Sequence, residues 1–364
     1  MNILFYYPSS QRTISIESVI LKFKSQGNHI FLLTHTKKGD LHAELESVGI
    51  KTYTYVRIKE RPFLYYFLHF IYLIRFCKKN KIEFVFSHLQ QANIISVFAQ
   101  FFCKSKFYIC RHHSSTDGAD YNFYQTLFDK IINKLAKIII VPSKAVYNQV
   151  CNVEKVKQNK VKLINYGYDF EKYPKPNFFT VNEIRKKYVT KLLLVKVARL
   201  VPGKRYIILF DVIKNLVINK NRDIKLIVIS DGPLFDEFKL YVNTNNLTDN
   251  IFLLGNVGNV IDYLAAADIV PLLSDAEASN NVIKEAGLVK KTVIVCKNVG
   301  DFEEYIENEK SGYLISKENP APELTQLFEN FNTELPRLGD ALYKNVLQKF
   351  AIENVIEDYN KLLR

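Results

Sequence analysis

The sequence predicts an α/β protein made of two doubly wound parallel-sheet domains, and three observations predict it. At 364 residues the chain exceeds one ordinary α/β core and suits two of roughly 150 to 200 residues. Short apolar runs alternate with stretches of helical period, the pattern of parallel strands covered by helices on both faces. The alternation also begins twice: it stops at the polar, proline-bearing connector Tyr173-Pro-Lys-Pro-Asn177 and then restarts. Domains of residues 1–172 and 173–344 follow, with a terminal helix over 345–364 packing back on the first.

Taken in order, strands are expected over residues 2–6, 29–34, 51–56, 82–87, 106–111, 137–141 and 161–165, because each is a short apolar run rich in β-branched and aromatic residues. Helices over 16–26, 62–79, 92–102 and 123–135 separate them. After a short helical piece ending near Tyr188, strands recur over 191–197, 224–230, 251–254, 268–273 and 292–296. The tail from 338 to 364 has apolar residues at helical spacing. With 48% hydrophobic and 24% charged residues the chain is a folded protein, not a disordered one. Cys77, Cys103, Cys110, Cys151 and Cys296 are scattered, with no C-x-x-C pair, which points to reduced thiols and a cytoplasmic protein, not to disulfides or zinc. The start of the chain reads as a first strand and not a signal peptide. The longest apolar run, 63–74, contains His69 and is too short to cross a bilayer.

Charge is uneven. Through residue 175 there are 26 Lys and Arg against 12 Asp and Glu, a balance of +14; the rest has 24 against 25, a balance of −1. A basic first lobe suits an anionic membrane surface, an anionic acceptor, nucleic acid, or simply a well-solvated lysine surface. The aromatic ladder expected for single-stranded nucleic acid is not apparent, so no nucleic-acid partner is expected. Residues 63–72, flanked by Arg57, Lys59, Arg61, Arg75, Lys78 and Lys79, could dock on the inner face of the plasma membrane; a core helix with basic ends is the plainer alternative.

The chemistry concentrates in Glu277-Ala-Ser-Asn-Asn-Val-Ile-Lys-Glu285, between two apolar strands. Asn280 or Asn281 can cap a helix there, with Val282, Ala286 and Val289 on the face packed against the sheet. Amides of the first turn, including those of Asn280, Asn281 and Val282, and the helix dipole can hold an anion, while Glu277 and Glu285 accept hydrogen bonds from neutral hydroxyls. A phosphate-bearing sugar fits both demands. Upstream, the apolar strand 192–198 runs into Arg199-Leu-Val-Pro-Gly-Lys204-Arg205, placing two cations at the carboxyl edge of a sheet, where they could neutralise a diphosphate. Leu226-Ile-Val-Ile-Ser-Asp-Gly-Pro233 is another strand ending in a polar turn, whose Gly232 permits close backbone approach to a ligand.

Together with Phe252-Leu-Leu-Gly255, Asp262-Tyr-Leu-Ala-Ala-Ala-Asp268, Asn298-Val-Gly300, Arg111-His-His-Ser114 and the segment 136–167, these motifs resemble the retaining nucleotide-sugar glycosyltransferases of the GT-B fold, family 4. The resemblance covers nearly the whole chain and implies two Rossmann-like domains facing across a cleft. It implies that Glu285 binds the ribose hydroxyls of a UDP- or GDP-sugar, Glu277 the donor sugar, and Arg199 and Lys204 the diphosphate. His113 would face the donor sugar from the first domain, with His112 or Arg111 near the acceptor. Ser230, Ala278, Arg205 and Asp301 depart from the usual pattern, and the loop Pro8-Ser-Ser-Gln-Arg-Thr13 lacks paired glycines.

The implied reaction moves a hexosyl or N-acetylhexosaminyl group to a hydroxyl of a glycan or lipid-linked acceptor in bacterial surface polysaccharide or glycoconjugate synthesis. No separate carboxylate nucleophile is evident, so front-face attack is the expected route to retention. The chain has no D-x-D motif, so no metal and no cofactor beyond the donor substrate is expected. Two rivals are a nucleotide-sugar epimerase of the same fold, which needs no acceptor, and a basic membrane- or RNA-binding protein with a degenerate cleft.

Overall fold

A computed structural model describes residues 1–56, 61–113, 123–331 and 334–364. Arg57, Lys59 and Ser114, named above, lie outside the described residues. By its internal packing the chain divides into an N-terminal domain, Met1–Glu171 with Phe350–Arg364, and a C-terminal domain, Lys172–Lys349.

The N-terminal domain runs β1 (Asn2–Tyr7), α1 (Ile14–Ser25), β2 (His29–Thr34), α2 (Asp40–Ser47), β3 (Lys51–Thr54), α3 (Pro62–Lys79), β4 (Phe84–His88), α4 (Leu89–Ala99), β5 (Lys106–Cys110), α5 (Phe123–Leu135), β6 (Ile138–Val141), α6 (Lys144–Asn148) and β7 (Val161–Leu163). Its seven strands are all parallel in the order β3-β2-β1-β4-β5-β6-β7. The central strands are apolar on both faces because helices cover both. On one face Phe5, Phe23, Phe86 and Tyr108 build an aromatic core with rings 5.0–6.3 Å apart.

The C-terminal domain runs α7 (Phe178–Lys187), β8 (Leu192–Val197), α8 (Tyr206–Lys214), β9 (Ile224–Ile229), α9 (Phe235–Thr244), β10 (Ile251–Leu253), α10 (Val260–Ala266), β11 (Ile269–Leu272), α11 (Asn281–Leu288), β12 (Thr292–Cys296), β13 (Tyr313–Ile315), α12 (Ala321–Glu329) and α13 (Leu335–Phe350), and α14 (Ile352–Leu362) closes the chain. Its sheet is parallel in the order β10-β9-β8-β11-β12-β13. Strand order reverses between β1 and β4 in one sheet and between β8 and β11 in the other. Loops leaving the carboxyl ends there border the crevice where such sheets hold ligands.

The expected single helix over 345–364 is instead the end of α13, then α14. Between them Ala351 is extended (φ −58°, ψ 136°), and its neighbours pair with Tyr168 like a strand: Tyr168 N–H donates to Phe350 O at 2.8 Å and Ile352 N–H to Tyr168 O at 2.9 Å. Helix α13 belongs to the C-terminal domain as far as Lys349, and α14 buries Ile352, Val355, Ile356 and Tyr359 in the N-terminal core. Gly167 permits this, since a side chain there would lie 2.7 Å from Ile352 Cδ1.

Candidate functional site

At the switch point of the C-terminal sheet, the loop after β8 and the loop after β11 emerge from paired strands. They bring Lys204 and Glu277 together across 73 residues of sequence: Lys204 Nζ lies 2.5 Å from Glu277 Oε1. Ser274 Oγ donates to the same oxygen at 2.7 Å. Gly300, with φ +59°, packs against the Glu277 backbone and Cβ, since a side chain on it would stand 2.9 Å from Glu277 Cβ. Arg199 is exposed, with no ion-pair partner among the described residues. Arg205 adopts φ +51°, ion-pairs with Asp275 and donates to Lys317 O, so it shapes the loop.

Beneath this loop lies a cation that composition alone does not disclose. Lys196 is fully buried in β8, donates to Lys204 O at 2.7 Å, and sits 4.3 Å over the Tyr206 ring. Burial is the main cause that pushes its ammonium down to about 7. The single Lys in an otherwise apolar strand was its sequence signal.

Helix α11 starts as expected. Asn280 caps it, its Oδ1 accepting from Ile283 N–H at 3.1 Å. Its buried face differs from the expected one: Ile283, Ala286 and Gly287 are buried, while Val282 and Val289 are only half-buried. The helix is rotated because Gly287 faces α13, where a side chain would come within 2.9 Å of Val346. Lys284 is buried too, 2.9 Å from the fully buried Asp301 and 2.8 Å from Ser279 Oγ, which itself bonds Asp301. Thus the unusual Asp301 has its partner in the signature helix. Burial lowers the Lys284 ammonium, and Asp301 opposes that shift.

Glu277 precedes the cap, and Glu285 lies one turn into α11, four residues after Asn281. Asn281 itself is exposed. Glu285 accepts from Val289 N–H through its backbone carbonyl at 3.2 Å, while burial raises the pKa of its carboxyl group, with Lys284 pulling the other way. A carboxylate partly withdrawn from water is a place for ligand donors.

Gly232, expected to let a ligand approach the backbone, is also required by packing. A side chain there would meet the Leu200 backbone at 2.5 Å, so the glycine locks the loop after β9 against the loop after β8. Leu200 N–H donates to Asp231 O at 3.1 Å across the same contact. Ser230, with φ +134°, holds a conformation that favours glycine, and its N–H donates to Gly255 O at 2.9 Å.

In the N-terminal domain, the end of β5 delivers Arg111, His112 and His113. His113 Nε2 stands 3.1 Å from Asp129 Oδ2 and is partly exposed. Arg111, expected near the acceptor, is fully buried: it forks onto Glu154 with two 2.7 Å bonds and pairs with Asp129 at 3.1 Å. It holds α5 and the segment after α6 to the sheet and faces no acceptor. His112 is the middle of a chain, 3.0 Å from His88 Nδ1 and 2.5 Å from Tyr166 Oη. Burial pushes His112 down to about 4, and lowers His88 as well. His88 and Tyr166 were not singled out from sequence; His88 ends β4 at the switch point, which was the available clue.

Comparison with known proteins agrees with this architecture. Residues 14–172 match Glycosyltransferase Family 4 and residues 178–330 match Glycosyl transferases group 1. A poly(ribitol-phosphate) alpha-N-acetylglucosaminyltransferase of Staphylococcus aureus is 26% identical over 51% of this chain, and the match spans only 38% of that relative's length. The GPI3 subunit of a yeast phosphatidylinositol N-acetylglucosaminyltransferase (Saccharomyces cerevisiae) is 26% identical over 85% of this chain and 70% of its own. Among solved structures, Anabaena Alr3699/HepE in complex with UDP superposes with TM-score 0.82 at 18% identity, covering 100% of this chain and 99% of that one. Two parallel sheets, each with its loops gathered at a switch point, and family matches along both halves make this chain a GT-B glycosyltransferase of family 4, group 1.

Proposed function

We propose that the chain transfers an N-acetylhexosaminyl or hexosyl group from a UDP- or GDP-sugar to a hydroxyl of a glycan or lipid-linked acceptor, with retention and without a metal ion. The observation that carries this reading is the Lys204–Glu277 pair at the switch point, with the desolvated Glu285 carboxylate on the helix that follows. In the free protein Lys204 and Glu277 neutralise each other. An incoming diphosphate takes over Lys204, assisted by Arg199 and the N-terminus of α11, and frees Glu277 to accept from sugar hydroxyls. Glu285 accepts from the ribose hydroxyls, which relieves its desolvation.

In the reaction, the bond from the anomeric carbon to the diphosphate oxygen breaks while the acceptor oxygen bonds to the same face of that carbon. The acceptor proton passes to the departing phosphate oxygen. Arg199 and Lys204 stabilise the charge growing on the diphosphate, an effect of about 10²–10³ in rate for each preorganised donor. His113, the first-domain residue that the family resemblance assigns to the donor sugar, is oriented by Asp129. Several relatives are named for transfer of N-acetylglucosamine, to poly(ribitol-phosphate), phosphatidylinositol or L-malate, which supports an amino sugar and a hydroxyl acceptor.

The test is thermal stabilisation by UDP, GDP, ADP and their sugar conjugates, since a ligand of the native state raises the melting temperature. A shift with one base that is absent in Glu285→Ala supports the site. No shift with any nucleotide sinks it. Conversion of the donor sugar without acceptor identifies the epimerase reaction instead.

A further inference from the structure

We infer that the face of the N-terminal domain formed by α3 and the end of α4 is a docking surface for an anionic lipid membrane. Phe63, Phe67 and Phe70 recur at i, i+4 and i+7 on α3, and so share one side of the helix. Phe63 is 85% exposed and Phe67 49%, with their rings stacked 6.3 Å apart. The strip continues through Phe70, whose ring meets Phe102 edge-on at 5.5 Å, to Phe101 and Phe102, which are 57% and 59% exposed. Neighbouring rings thus gain contact with each other but remain wet, where burial of each would be favourable.

Charge identifies what covers them. Residues 61–106 hold seven Lys and Arg, namely Arg61, Arg75, Lys78, Lys79, Lys81, Lys104 and Lys106, against one acid, Glu83. Lys137 Nζ stands 5.9 Å over the exposed Phe101 ring, so a cation borders the strip directly. Phenylalanine needs no hydrogen-bond partner and enters the acyl boundary, while lysine stems reach back to phosphate headgroups. A soluble polyanion would reward the lysines and leave the phenylalanines in water. No helix among the described residues is long and apolar enough to span a bilayer, so the contact is one of lying on the surface.

The experiment is co-sedimentation of the full chain with vesicles of phosphatidylcholine alone or of phosphatidylcholine with phosphatidylglycerol as the minority lipid, at low and high salt. Binding is expected only with the anionic vesicles and weakens with salt. The pair Phe63→Ser/Phe67→Ser, and separately Phe101→Ser, should each weaken it by roughly tenfold or more without shifting the unfolding midpoint, because these rings are exposed. Lys78→Gln/Lys79→Gln should weaken it several-fold. Donor binding by the variants should stay unchanged, which separates this inference from the reading of the donor site. Failure to bind anionic vesicles, binding undiminished in both aromatic variants, or inorganic polyphosphate held equally by wild type and the aromatic variants would each overturn it.

Discussion

The two domains share a fold and differ in what their sheets present. In the C-terminal domain, charges near the carboxyl edge occur largely as opposed pairs: Lys204 with Glu277, Arg205 with Asp275, Lys284 with Asp301. The N-terminal domain presents a histidine–tyrosine chain at that edge, a deeply buried Arg111 clamp, and a surplus of positive charge elsewhere on its surface. Of these pairs Lys284 with Asp301 is fully buried and structural, whereas Lys204 and Glu277 keep some exposure, so on the proposed reading their mutual contact can be exchanged for contacts with a diphosphate sugar. A surplus of one sign attracts an extended surface instead. On the two readings proposed above, one scaffold would separate a reversible small-ligand site from an electrostatic docking face.

The largest expected effect tests the C-terminal half of that contrast. Lys204→Ala and Glu285→Ala should each lower turnover by about 100-fold or more while the fold persists. In addition, Glu285→Ala should raise the melting temperature of the ligand-free protein, because it removes a desolvated carboxylate. Wild-type turnover in either variant would end the site assignment.

Next comes the buried pair. Asp301→Ala strands the Lys284 ammonium in the interior and should cost about 3–5 kcal/mol by urea unfolding, with Lys284→Met/Asp301→Leu recovering most of it. If Asp301→Ala unfolds like wild type, the pair is not structural. Gly232→Ala forces the Leu200 backbone away and should cost about 1–3 kcal/mol, together with weaker nucleotide binding because the loop bearing Lys204 shifts. Loss of binding with unchanged stability would return Gly232 to a direct ligand role.

A pH-dependent effect belongs to the N-terminal domain. His112 titrates near 4 in the folded protein against 6.5 when unfolded, and His88 is lowered as well. Between those values the unfolded chain binds more protons than the folded one, so stability rises with pH and is lost as pH falls from 6.5 toward 4. His112→Gln should flatten that slope in urea titrations; an unchanged slope would mean that other groups carry it.

Local pattern announced most of the fold. Strands β2 and β12 and helices α3 and α5 begin and end where the apolar period predicts, because strand and helix signals are written within a few residues. Elements that lacked such a signal were not anticipated: α2 is largely polar, and β13 has three residues held by pairing with β12. The capped helix between Glu277 and Glu285 was legible for the same local reason, since Asn280 and the first turn lie within one motif.

Tertiary structure decided who meets whom. The family resemblance gave Lys204 and Glu277 to one donor, yet only the fold shows them ion-paired, and Arg111 resembles any basic residue at a strand end until burial against Glu154 and Asp129 removes it from the surface. Likewise Ala351 breaks a continuous helical pattern because Tyr168, far away in sequence, offers its backbone hydrogen bonds. The chain by itself determined the elements, their alternation and the chemistry available. Strand order and close packing then determined which charges are paired, which are buried and which stay open to a ligand, because those outcomes depend on long-range contacts that no sequence window contains.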